Sequence, residues 1–389
     1  MKVVIILPTY DERENIEKMI PILQGEVFPR IKNHTMSILV ADDNSPDGTA
    51  DAVKKFMKKW KNIELSLGEK IGLGAALLRA MTYATEKMQA DVVFVLDADF
   101  FHDPNKIPEF LQKIDEGQDV VIGTRYSNGG SIPRNWGIHR KVFSIAGNLL
   151  VRTILMRFYV HDWTGGFRAI RKKVFLKERS KMEQFTGYTF QVAFLHKAIQ
   201  DGFAVTEVPF HAKDRFLGRS KIAPFQYIVN LLYYVITARM SELVHSPFLK
   251  YAITGFIGYL INAISLELFK KYFGLHSGFA ASLGAELSII WNFIVNNFWS
   301  FKSEQITSKT KLLYKFLQFN LISLGSLLLI GLVVSIGTHF FGDTTLTRQI
   351  SLVLGIGFLV IPYSYSMYNI FIWKRWHISF LRKLQNMAG

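Results

Sequence analysis

No cysteine occurs in the 389 residues. Disulfides, thiolate metal sites and cysteine nucleophiles are thereby excluded, and the redox compartment is left open. Acidic residues are scarce beside basic ones, 31 Asp and Glu against 46 Lys and Arg, for a formal net charge of +15. Such an excess suits nucleic acid, phosphates or anionic lipid. No basic repeat interleaved with stacking aromatics is present, which argues against nucleic acid, and the positive residues gather near apolar runs and around a candidate anion site. Phosphates and lipid headgroups are the expected partners. The amino-terminal run is not expected to be a secretory leader. Met1-Lys2-Val3-Val4-Ile5-Ile6-Leu7-Pro8 is a short apolar run broken by proline, expected to be a first strand.

What the chain has in excess is hydrophobicity, 49% of residues, and it is unevenly spread. Residues 1 to about 220 alternate strand-like and helix-like patterns at ordinary charge, whereas from about 248 onward apolar runs exceed 20 residues. The expected domains are 1–221, a linking segment 222–247, and a membrane part 248–389. Val3–Leu7, Ser37–Ala41, Ile63–Leu67, Val92–Leu96 and Val120–Gly123 are strand candidates, with helical patterns at Leu73–Met88 and Asn105–Glu116 between them. The alternation predicts an α/β domain with a mostly parallel, doubly wound sheet.

Ligands in such sheets bind at the carboxyl ends of strands. Asp97-Ala98-Asp99 ends the run Val92-Val93-Phe94-Val95-Leu96, and hard carboxylate oxygens suit Mg²⁺ or Mn²⁺ held against a diphosphate. In an extended run the two carboxylates share a side, and a turn re-aims either one. Acidic turns also follow the first two strands, Pro8-Thr9-Tyr10-Asp11-Glu12 and Asp42-Asp43-Asn44-Ser45-Pro46-Asp47, and either grip a base and ribose or cap the following helices. Lys70-Ile71-Gly72-Leu73-Gly74 is a glycine-rich helix entrance whose lysine is a candidate phosphate contact, without the spacing of a P-loop. His102 is read as packing the metal loop as readily as ligating, and His211 has no evident partner.

Six motifs in order, PTYDERENI (8–16), ADDNSPDGT (41–49), DADFFHDP (97–104), GTRY (123–126), DWTGGFRAIRK (162–172) and DRFLGRSK (214–221), resemble family 2 glycosyltransferases of the dolichol-phosphate mannose synthase type, which have a GT-A fold. ELSIIWNFIVNNFWSFK (286–302) resembles the GtrA-like four-helix membrane domain fused to some archaeal members. The resemblance implies a membrane-bound enzyme moving a hexose, most simply from GDP-mannose, to dolichyl or another polyprenyl phosphate. UDP-glucose or another nucleotide sugar is the alternative donor. It assigns Pro8, Tyr10, Glu12, Ala41 and Asp43 to the nucleoside, and Asp97, Ala98 and Asp99 to the sugar diphosphate and its metal. Arg125, Arg140, Arg215 and Lys221 correspond to phosphate-facing residues, and guanidinium forks suit phosphate oxygens. There are two departures: Phe101 stands where relatives often carry a metal-holding glutamine, and Ala193 where they carry a glutamate.

Phe248–Phe269, Phe279–Phe298, Phe316–Phe341 and Ile350–Trp373 are each long enough to span a bilayer. Lys302, Lys309, Lys311 and Lys315 lie between the second and third, and Lys374, Arg375, Arg382 and Lys383 follow the fourth. The positive-inside bias predicts a multi-pass cell-membrane protein with both termini and the catalytic domain in the cytoplasm. Ile222–Ala238 is shorter and reads as an interfacial amphipathic helix, with a short span as the alternative. Glu286, Asn292, Asn296 and Asn297 inside a span mark a functional site or helix-to-helix hydrogen bonding. A second class of function, movement of a lipid-linked sugar across the bilayer, has few intramembrane polar residues to build a path.

Overall fold

A computed structural model describes residues 1–213, 224–342 and 344–375. They divide into two compact units, Met1–Arg239 and Met240–Gly389.

In the first unit the apolar runs form β1 (Lys2–Thr9), β2 (Thr35–Asp42), β3 (Ile63–Leu67), β4 (Val92–Val95) and β5 (Val120–Thr124), joined by β6 (Arg168–Arg171) and β7 (Val205–Pro209). They make one sheet in the order β3-β2-β1-β4-β6-β5-β7. β1 pairs in parallel with β2 and β4, β2 with β3, and β5 with β7, while β6 runs antiparallel to β4 and β5. The mostly parallel sheet expected from the sequence is present. The antiparallel β6 is the addition, a short basic strand that carries no apolar signal of its own.

Helices α1 (Arg13–Ile22), α2 (Thr49–Lys59), α3 (Leu73–Glu86), α4 (Ile107–Asp115), α5 (Ile138–Leu155), α6 (Lys172–Met182) and α7 (Thr189–Gln200) cover the sheet. The period-2 alternation of β1 sorts its side chains between two cores. Val3, Ile5 and Leu7 pack with Ile16 and Met19 of α1, Val53 of α2 and Phe110 of α4. Val4 and Ile6 pack with Leu77 and Met81 of α3 and Val192 and Leu195 of α7. Each such aliphatic chain taken fully out of water contributes about 1.5–3 kcal/mol. Because β2 and β3 lie on one side of β1 and β4 on the other, the strand order reverses at β1, which opens a crevice at the carboxyl ends of β1 and β4.

The glycines of the helix entrance are there for packing. Gly72 has φ 150, and a Cβ built on it would lie 2.6 Å from the Thr186 carbonyl oxygen. On Gly74 it would lie 2.1 Å from the Phe185 carbonyl oxygen. The N-terminus of α3 thus docks on the 185–187 backbone, and the Ala75 amide donates to the Thr186 oxygen at 3.1 Å.

The segment read as interfacial is the helix α8 (Pro224–His245), which crosses the division between units. Its Leu231 and Val235 are buried in the core that contains α3 and α7. The second unit holds α9 (Pro247–Phe273), α10 (Ser277–Val295) with a π-helical turn Asn296–Ser300, α11 (Lys309–Phe341), α12 (Thr345–Gly355) and α13 (Ile361–Met367). Among the described residues α9 is the one helix long and apolar enough to cross a membrane by length and composition. The run expected as a fourth span is helical without interruption from Thr345 to Ile372, through α12, a π-helical turn Ile356–Val360, α13 with Pro362 in its first turn, and a π-helical turn Tyr368–Ile372. Two of the amides expected inside a span have packing roles. Asn292 lies against Gly258, where an added Cβ would be 2.6 Å from its Nδ2. Asn297 accepts from the Ile306 amide at 2.9 Å and from Trp373 Nε1 at 3.2 Å.

Gly74→Ala should therefore lower stability by about 1–3 kcal/mol, because the methyl meets backbone that cannot rotate aside. Gly25, where an added Cβ meets nothing within 4 Å, is the control. Thermal melting of both variants checks this, and equal melting temperatures would rule out the close docking of α3.

Candidate functional site

Two strand ends supply the nucleoside candidates. In the β1–β2 register Pro8 faces Ala41 and Thr9 faces Asp42, so the two acidic turns emerge side by side. Asp42 is spent on structure: its carboxylate accepts from Thr9 Oγ1 at 3.0 Å and from the Ser45 amide at 2.9 Å. Asp47 accepts from the Thr49 amide at 2.9 Å and from the Arg13 amide at 2.9 Å, holding the α2 entrance to α1. Asp43 differs. Its Oδ1 accepts from Arg79 Nη2 at 2.8 Å, and Arg79 in turn covers Gly68, where a Cβ would lie 2.1 Å from a guanidinium nitrogen. Glu12 accepts from Asn15 Nδ2 at 2.6 Å, and Lys70 Nζ sits 3.4 Å over the Tyr10 ring. Pro8, Tyr10, Glu12, Ala41, Asp43 and Lys70 are thus gathered on one side of the crevice.

The carboxylate pair lies across β1 from them. The Leu96 amide donates to the Ile6 carbonyl at 3.1 Å, and the chain leaves the sheet there. Phe100 takes a left-handed φ of 62, so Asp97 and Asp99 sit in a turn and are aimed separately. Asp99 is buried and its Oδ1 accepts from the Phe101 amide at 3.1 Å, while the Asp97 side chain is 37% exposed. His102 is buried in a packing role. Its Nδ1 accepts from the Asp97 amide at 3.2 Å, and its ring stacks on Phe167 at 4.8 Å. His211 also has a partner, Ser131 Oγ at 3.0 Å.

The wall opposite the pair is built by a loop whose polar groups the sequence did not single out. Asp162, fully buried, accepts from Arg125 Nε at 2.7 Å and Nη2 at 2.8 Å, from the Arg125 amide at 3.2 Å and from the Gly165 amide at 3.1 Å. Burial alone would raise its carboxyl pKa, and the charge and hydrogen bonds of Arg125, with Arg168 behind them, hold it below the usual value. The Arg125 guanidinium is likewise kept charged, since Asp162 outweighs the cost of burial. Arg168, also buried, is brought down to about 10 by desolvation and is satisfied by the carbonyls of Gly165, Trp163 and Gln191. This stapling places Gly166 in the pocket. A Cβ on it would lie 3.3 Å from Gln191 Nε2, 3.8 Å from Asp97 Oδ1 and 3.9 Å from His102 Cε1.

Arg125 thus meets the site with two of its nitrogens engaged, and Arg140 lies with its guanidinium 3.8 Å over the Trp136 ring. Ala193 is buried in the core on α7, two residues from Gln191. Arg215 and Lys221 fall outside the described residues. Among the described residues no cluster of three or more His, Cys, Asp or Glu forms a complete metal site. Asp97 and Asp99 still fit a divalent cation. Mg²⁺ and Mn²⁺ take oxygen donors and are commonly completed by ligand phosphates and water, and the Asp97 side chain is half-buried beside Gly166.

Comparison with known proteins covers both units. Residues 4–177 match the glycosyl transferase family 2 model and 250–373 the GtrA/DPMS transmembrane domain. A dolichol-phosphate mannosyltransferase of Pyrococcus furiosus is 30% identical over 369 residues, 92% of this chain and 96% of that one. A polyprenol monophosphomannose synthase of Mycolicibacterium smegmatis is 36% identical over 225 residues, 57% of this chain and 81% of that one. A crystal structure of glucosyl-3-phosphoglycerate synthase from Mycobacterium tuberculosis with Mn²⁺, UDP and glucosyl-3-phosphoglycerate superposes at a TM-score of 0.45 and 18% identity, over 61% of this chain and 79% of that one.

Asp162→Ala strands a buried guanidinium, and chemical denaturation should show a loss of about 3–5 kcal/mol. Because the folded carboxyl is held below the unfolded value of about 3.9, its contribution is complete above that pH and disappears as acid drives the pH through the lower folded value. The gap between wild type and Asp162→Asn should accordingly be flat near neutrality and close only in acid. A gap that varied between pH 6 and 8 (roughly the range where carboxylates stay ionised) would rule out the pair as its source.

Proposed function

The chain belongs to the family 2 glycosyltransferases of the dolichol-phosphate mannose synthase type, and from that premise we propose that it moves mannose from GDP-mannose to the phosphate of dolichyl or another polyprenyl phosphate. The observation that carries the reading is a match over nearly the whole of a mannosyltransferase, membrane domain included, joined to an Asp97-Ala98-Asp99 turn at the strand-order reversal. The match leaves UDP-glucose or another nucleotide sugar as an alternative donor.

The chemistry follows from the acceptor. A phosphate monoester with a second pKa near 6 is largely a dianion at neutral pH and needs no strong base. One of its oxygens attacks the anomeric carbon in line, a new C–O bond forms with inversion, and the bond to the nucleoside diphosphate breaks as that group leaves. The protein supplies position and counter-charge. Pro8, Tyr10, Glu12, Ala41 and Asp43 take the nucleoside, with Lys70 closing over Tyr10. Asp97 and Asp99 would hold Mg²⁺ or Mn²⁺, which when bound offsets the charge of the departing diphosphate. Arg125 and Arg140 add cationic donors on the same side, Arg125 oriented by Asp162.

The acceptor is a membrane lipid, and the GtrA-type domain supplies the membrane part. Four spans, cytoplasmic termini and a cytoplasmic catalytic domain remain the reading of the loop charges. α8 supports an interfacial position for that domain, since it exposes Ile228, Val229, Tyr233 and Ile236 while Leu231 and Val235 are buried.

Thin-layer analysis of lipid products from a panel of labelled nucleotide sugars tests the donor. Labelled lipid from GDP-mannose is expected, and product from a different sugar alone would replace mannose in the reading. Asp99→Ala should abolish turnover with little change in melting, and EDTA should stop the wild-type reaction; full activity in either case would remove the metal role. Arg215 and Lys221, next to α8 in sequence, are assigned to the lipid phosphate. Alanine at either should raise the lipid requirement or cut turnover roughly ten- to a hundredfold, the cost of a charged hydrogen bond, with nucleotide binding intact. Loss of nucleotide binding instead would move both residues to the donor diphosphate.

A further inference from the structure

Phe101 stands in the metal loop with a ring that offers no ligand atom, and what it does is stack. Its ring and that of Trp136 lie 5.9 Å apart with planes 10° from parallel. The Arg140 guanidinium carbon is 3.8 Å from the Trp136 ring centre, and that of Arg125 is 5.7 Å from the Phe101 ring centre. Two cations are thus held on one aromatic pair, beside a loop whose Asp99 accepts from the Phe101 amide.

Trp136 carries a further oddity. The residue is 7% exposed, and its Nε1–H is buried with no acceptor among the described residues. Indole nitrogen is a donor only, and a buried tryptophan usually finds an acceptor for it. An unmet buried donor lowers stability, so a donor left in that state beside a binding site points to a group that arrives later. The group must accept a hydrogen bond. The Arg125 guanidinium is already compensated by Asp162, and it is the Arg140 guanidinium on the indole that adds that the group be negative; phosphate oxygen meets both demands.

We propose that Trp136 is a phosphate-binding residue: its Nε1–H takes an anionic phosphate oxygen, Arg140 on its ring supplies the counter-charge, and Phe101 fixes the indole plane. The proposal rests on the phosphate-handling reading above. The oxygen belongs either to the nucleoside diphosphate of the donor or to the monophosphate of the lipid acceptor.

Trp136→Phe keeps an aromatic ring for the stack and removes the N–H, together with part of the indole's volume. The full-length protein is titrated calorimetrically with GDP and with UDP, with Mg²⁺ and again in EDTA, and initial rates are taken across polyprenyl phosphate concentrations. If the oxygen is the donor's, Kd for the nucleotide rises about tenfold or more in both metal conditions, the usual cost of losing a bond to a charged group. If it is the acceptor's, nucleotide Kd is unchanged and KM for polyprenyl phosphate rises by that factor. In either case one constant moves and the other stays, and the smaller ring lowers melting modestly whichever oxygen is bound. Both constants within twofold of wild type would overturn the proposal, and so would a rise in both together, since the indole would then be a structural filler. A wild-type protein that bound neither nucleotide and used no polyprenyl phosphate would instead overturn the functional reading beneath it.

Discussion

One carboxylate with no solvent exposure holds the working edge of the sheet together. Asp162 receives the Arg125 guanidinium on two nitrogens and the backbone amides of Arg125 and Gly165, so it joins the end of β5 to the loop that leads into β6. A buried charge of this kind is stable only when it is paired and its remaining oxygens are bonded. Arg168, a second buried cation beside it, is met by three backbone carbonyls, the Gln191 carbonyl among them, which ties the same loop to α7. The consequence reaches the chemistry through Gly166. The pinned loop sets a residue without a side chain, Gly166, against Asp97, His102 and Gln191.

What could be read from the sequence follows from what leaves a local signal. The β-branched runs at Val3–Leu7, Ser37–Ala41 and Val92–Leu96 announced central strands because a strand buried on both faces must be apolar along its length. β6 gave no such signal. Its four residues, Arg168 to Arg171, hold two arginines, one buried and one half-buried, that are met by carbonyls distant in sequence, Gln191 for the first and Ile114 and Gln118 for the second. The glycines at 72 and 74 were ambiguous for the same reason. A helix entrance that approaches phosphate and one that approaches the 185–187 backbone need the same small residues, and only the tertiary contact separates them.

The candidate site was legible in outline. Motif order put Pro8, Asp43 and Asp97 at strand ends, and the sheet order then brings those ends together. The supporting residues were not legible, because Asp162 and Arg79 act through partners 37 and 36 positions away and Trp136 through an aromatic stack. His102 shows the limit well: a histidine five residues from an aspartate matches a metal ligand on paper, whereas its Nδ1 accepts the Asp97 amide and its ring is flat on Phe167.

For the proposed transfer, the division of labour between carboxylates and cations has a physical logic. A phosphate acceptor arrives already ionised, so the barrier lies in bringing a dianion up to a diphosphate, and like charges at such distances repel strongly where water is thin. A base would not help, and a further carboxylate would add to the repulsion. Positive charge fixed before the substrates arrive removes it at no cost of rearrangement during the reaction. Arg125 on its buried aspartate and Arg140 on its indole are both fixed in this sense, one by a hydrogen-bonded pair and the other by stacking.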